Sequence, residues 1–179
     1  MALYLEAEKK EEKGPYRKYR EILQRSALDA ARRAGVRLSQ EEAAAFASSV
    51  PEWPAFSDTS DALRELGLKG YKRFILSNID GDLIRSTIKT AGLEIDGYVT
   101  AEDTRSYKPA PGHWLRFMEV TGAERSDFIH AAQSVFHDIV PTGVLGISSA
   151  WVNRYGERLP AGAQPEFISD SLAGLVAML

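Results

Sequence analysis

Four short apolar runs, each separated from the next by a helical pattern or a turn, constrain this chain more than any other feature. They are Lys72–Asn78, Gly97–Thr100, Phe128–Ala132 and Ile147–Val152. Each is too short for a helix and ends in polar residues or a turn, which is how a buried parallel strand reads. Asp82 to Ala91 carries a helical pattern closed by Gly92, Pro111 opens another that ends near Gly122, and Asp138 to Leu145 forms a third before Gly146. Asp58 or Ser60 can cap an earlier helix ending at Gly67. Glu166–Ile168 adds a fifth strand, and Ser171 to Leu179 a closing helix. Strands alternating with helices imply βαβ units, hence an α/β, Rossmann-like parallel sheet with helices on both faces. Right-handed crossovers then bring the C-terminal ends of all strands to one edge, where ligands bind.

The first third has no strand signal. Met1 to Lys13 is rich in Ala, Leu, Glu and Lys, all good helix formers. A second helix is predicted from Pro15, a favoured first-turn residue, to Ala34, with Gly35 closing it. Ser39 and Glu42 form a capping-box pattern that starts a third helix through Ser48, before Pro51 and Pro54 break the chain. The chain therefore divides into a helical subdomain, 1–54, and an α/β core, 55–179.

Composition excludes several function classes. The 179 residues contain no cysteine, which removes disulfides, thiolate metal sites and a cysteine nucleophile. A net charge of −3 gives no footprint for nucleic acid or an acidic membrane surface. No run is long and apolar enough to span a bilayer, and the N-terminus has no signal-peptide core, so a cytoplasmic protein is expected. Phosphate-binding glycine loops, a G-x-S-x-G elbow and zinc-spaced ligand pairs are absent.

Three polar clusters fall at strand ends. Ser77-Asn78 offers a hydroxyl and an amide to an anion, or forms a simple strand-end turn. Lys108 in Ser106-Tyr107-Lys108-Pro109-Ala110-Pro111 is fixed between prolines before a helix start, where it can face an anionic substrate or lie at the surface. In Gln133-Ser134-Val135-Phe136-His137-Asp138, Asp138 can cap the following helix or act as an acid on the ligand-binding edge. His137, His113 and Trp114 read as packing or surface residues.

The order and spacing of ILSN, SYKPAP, AAQSVFHD and GVLGISSAWVNR resemble the haloacid dehalogenase-like superfamily, in the branch containing the L-2-haloacid dehalogenases. GPYRKYREIL resembles that branch's helical cap. The resemblance implies a substrate-binding role for Ser77, with Asn78 beside it, a charge-neutralising role for Lys108, and for Asp138 the role of the acid that holds lysine and water or binds magnesium. It implies a small anionic substrate and a parent activity on 2-haloacids through an aspartyl ester.

Two departures shape the expectations. The family's nucleophile is an aspartate in a D-x-[DY]-G-T-like segment on the first, central strand, and nothing like it occurs here, since Met1 falls inside the cap. Little or no turnover by the chain alone is therefore expected. A non-catalytic anion-binding or interaction role is one alternative reading and a small-molecule phosphatase another. Gln133 replaces the first acid of the last motif, and an amide serves a hard cation poorly. Magnesium at Asp138 is thus disfavoured and no cofactor is expected. The missing strand belongs between the ILSN and FIHAA strands, and its loss exposes two edges. Three outcomes follow: the flanking strands close up, a partner such as a second copy pairs with the edges, or the chain is a piece of a longer protein.

Overall fold

The computed structural model describes all residues, 1–179. Three helices come first: α1 (Ala2–Glu12), α2 (Tyr19–Arg33) and α3 (Gln40–Ser48), then a single 3-10 turn at Val50–Glu52. The capping box is present: Ser39 Oγ accepts from Glu42 N–H, and the Glu42 carboxylate accepts from Ser39 N–H. α2 starts at Tyr19 rather than Pro15. The reason is tertiary. The buried carboxylate of Asp80 accepts the N–H groups of Tyr19 (2.8 Å) and Arg20 (2.9 Å), so the helix begins where its free donors meet that acceptor.

The α/β part runs α4 (Thr59–Leu68), β1 (Phe74–Ser77), α5 (Gly81–Ala91), β2 (Gly97–Thr100), α6 (Ala101–Thr104), α7 (Gly112–Thr121) and β3 (Ile129–Ala132). A π-helical turn at Val135–Ile139 leads into α8 (Val140–Leu145), then β4 (Ser148–Val152), β5 (Phe167–Ser169) and α9 (Leu172–Val176). α6 was not anticipated, although Thr100 and Asp103 form its capping box. Asp58 precedes α4 but does not cap it. Its carboxylate accepts from Arg154 Nη2 (3.0 Å) and from Leu172 N–H (2.7 Å), and so caps α9 instead.

All strand pairs are parallel, but they form two sheets. β1 pairs with β2, Phe74 opposite Gly97; β3 pairs with β4, and β4 with β5. β1 and β3 do not pair, so the flanking strands have not closed up. Each therefore keeps one edge without a strand partner.

The N-terminal helices are joined to the first sheet by a shared apolar cluster. Leu23, Ala47 and Val50 pack with Ile79, Leu83 and Ile84, and Leu23 is wholly buried. The second sheet has its own clusters, around Trp151 with Ile139 and around Ala150, Val152 and Leu175.

Candidate active site

The loop after α6 delivers Lys108. A Cβ on Gly112 would lie 2.5 Å from Ser106 Oγ and 3.2 Å from Thr104 Cβ, so the glycine lets the loop close down on α7 without displacing these side chains. Asn78, just beyond β1, clamps the Lys108 main chain from both sides. Its Oδ1 accepts the Lys108 N–H (2.7 Å), and its Nδ2 donates to the Lys108 carbonyl (3.1 Å). Lys108 Nζ then donates to the Leu76 carbonyl on β1 (2.9 Å) and to Asp138 Oδ1 (2.5 Å). Both partners of this ion pair are buried, Lys108 8% and Asp138 5% exposed. A buried charge pair is tolerated only when each member is well satisfied, and here both are.

Asp138 does not start a helix. It lies inside the π-helical turn, whose first free donor, the His137 N–H, is taken by Ser134 Oγ (3.2 Å). That releases the Asp138 side chain for the site. His130 on β3 supplies a second donor, its Nε2 2.8 Å from the same Oδ1. Burial alone would raise the Asp138 pKa; the His130 hydrogen bond and the Lys108 charge outweigh it and hold the carboxyl below its usual range.

Two consecutive residues of α7 complete the arrangement. His113 Nε2 donates to the Ser77 carbonyl (3.0 Å), which fixes the proton on Nε2. Burial pushes this imidazole down to about 4, so it is neutral at pH 7. Trp114 packs edge-on against the His130 ring, centroids 5.3 Å apart. His113, Trp114 and His130 thus belong to the site's scaffold. The pattern in sequence gave His113 and Trp114 only a packing or surface reading, because partners on other strands leave no local trace.

Of the residues singled out in the sequence, Lys108, Asp138 and Asn78 form one bonded cluster, and Ser77 joins it through its carbonyl. Gln133 is engaged elsewhere, its amide donating to Glu157 Oε2 (3.0 Å). Glu12, at the end of α1, was missed: its carboxylate lies 3.3 Å from Asn78 Nδ2 and 3.4 Å from His137 Nε2. These residues do not fit a magnesium ion. Asp138 Oδ1 is taken by two N–H donors, the neighbouring acid position is an amide, and no group of three acidic or histidine side chains is placed for a metal.

No family model matches the chain. Three characterised proteins do, among them the following two. Haloacetate dehalogenase H-2 of Moraxella sp. (strain B) is 26% identical over 129 residues, which cover 69% of this chain and 57% of that protein. The (S)-2-haloacid dehalogenase of Pseudomonas sp. (strain YL) is 28% identical over 126 residues, 69% of this chain and 54% of that protein. The chain thus spans little more than half the length of these relatives. Among solved structures, the L-2-haloacid dehalogenase of Xanthobacter autotrophicus with chloropropionic acid covalently bound superposes with a TM-score of 0.89 at 19% identity, covering 98% of this chain and 83% of that one. No helix is long and apolar enough to cross a membrane. Parallel strands, the lysine–aspartate pair at their ends and these matches agree: the chain is a haloacid dehalogenase-like relative of the L-2-haloacid dehalogenases.

Proposed function

We propose that this chain carries the cap and the lysine-bearing half of a hydrolase acting on small 2-haloacids, and that its carboxylate nucleophile arrives on a strand lying between β1 and β3. The single observation that carries this reading is the buried Lys108–Asp138 pair beside two parallel strand edges that have no partner. In the reaction, a carboxylate oxygen on that strand attacks C2 of the haloacid and expels halide, forming an ester. Water then cleaves the ester, releasing the 2-hydroxyacid and restoring the carboxylate. Lys108 offsets the charge of the nucleophile, Asp138 and His130 hold Lys108, and Ser77 offers its hydroxyl to the substrate carboxylate. Residues 1–54 serve as the cap over a core of 55–179, and a cytoplasmic setting without nucleic acid suits the chain. Chemistry without a resident cofactor suits the site.

The chain alone is expected to release no halide from (S)-2-chloropropionate. Adding a synthetic peptide of alternating apolar residues that ends in a D-x-Y-G-T segment should restore release. Asp→Asn in the peptide, or Lys108→Ala in the protein, should abolish it. Robust turnover by the unsupplemented chain would sink the proposal. The same open edges support a second reading, in which two copies associate through them; light scattering showing a monomer at high concentration would remove it.

A further inference from the structure

A cavity of about 370 Å³ opens between the end of α1, the turn at Gly14–Tyr16 and the Arg105–Ala110 loop, with Lys108 on its wall. Lys9, Lys13 and Arg105 also line it. Lys108 is neutralised by Asp138, but the other three have no carboxylate within ion-pair distance. The cavity wall therefore carries four cations against a single acid. Its one acid, Glu12, is already held by Asn78 and His137.

Two of the three free cations are also positioned. The Arg105 guanidinium lies 4.6 Å over the Tyr16 ring, and Lys9 Nζ lies 5.5 Å over Phe136. Arg105 ends α6 with φ 51°, the chain's one non-glycine residue in the left-handed region, which turns the chain toward the Lys108 loop. The Tyr16 hydroxyl, buried, has no hydrogen-bond partner.

We infer that this cavity selects a dianion: a small organic acid whose second anionic group is received by Arg105 and Lys13 while the first lies toward Lys108. This rests on the haloacid reading of the site and narrows it to acids with a second carboxylate, such as halogenated four-carbon diacids.

Calorimetry on the intact chain with succinate and with propionate tests the inference without requiring turnover. Succinate is expected to bind at least about tenfold more tightly, a preference that Arg105→Gln and Lys13→Gln each reduce and together abolish, while Arg125→Gln on the loop before β3 leaves it unchanged. Circular dichroism checks that each variant is folded. Equal affinities, no binding of either acid, or a preference indifferent to Arg105 and Lys13 would overturn it. Failure of the peptide to restore halide release would count against the haloacid reading alone, because the affinity ratio is measured independently.

Discussion

Two junctions hold this molecule together, and they differ in how much buried charge they contain. The N-terminal helices meet the segment after β1 and α5 mainly through aliphatic side chains, Leu23, Ala47 and Val50 against Ile79, Leu83 and Ile84, beside the Asp80 carboxylate at the start of α2. At their C-terminal ends the two sheets meet through polar ones, Lys108 between Leu76 and Asp138, His130 on Asp138, and His113 on Ser77, while Phe117 of α7 packs between Phe74 and Phe128 at the opposite ends. α7 spans the second junction, since His113 reaches β1 and its neighbour Trp114 packs on His130 of β3. An aliphatic cluster depends little on pH or salt. A junction of buried charges depends on every partner's protonation, and it lies where the site's charged chemistry is gathered.

The largest effect should come from breaking the polar junction. Lys108→Ala leaves Asp138 buried without its cation and is expected to cost about 3–5 kcal/mol in urea denaturation at pH 7. The loss should shrink as pH falls, because a lone buried carboxyl takes up a proton. Leu23→Ala in the apolar junction should cost about 3 kcal/mol by the same measurement, through the cavity it leaves, and by the same amount at pH 5 and pH 7. A loss that varies with pH for Leu23→Ala, or none that varies for Lys108→Ala, would erase the distinction.

The smallest effect is the acid response of His113. Its folded pKa, about 4, lies below the unfolded value of 6.5, so its contribution is complete above pH 6.5. It is lost as pH falls from 6.5 toward 4, where the unfolded chain gains a proton that the buried imidazole refuses. Asp138, held low, loses its own contribution in the same direction below the usual carboxylate range. The melting temperature should therefore drop from pH 7 to pH 5, and His113→Gln should flatten that drop while lowering stability at pH 7.

What the sequence made legible was local. The apolar runs located the strands to within two residues at each end, the Ser39 and Glu42 capping box was read as it stands, and Lys108, Asn78 and Asp138 stand together. What it hid depends on partners far along the chain. Asp80 sets the start of α2 from 61 residues away. Asp58 caps α9 rather than the helix it precedes. Asp138 could be taken for a cap because nothing local reveals that Ser134 does that work. The separation of the two sheets was a question the sequence could pose but not answer, since pairing depends on what lies between the edges.

Amide hydrogen exchange along β1 and β3 tests most directly the claim that these strands face an open place in the sheet. In a parallel strand, alternate N–H groups point to opposite neighbours. The account predicts that alternate amides within Phe74–Ser77 and Ile129–Ala132 exchange much faster than those between them, and that the aspartate-bearing peptide slows them. Uniform protection of both strands in the chain alone, independent of protein concentration, would contradict it.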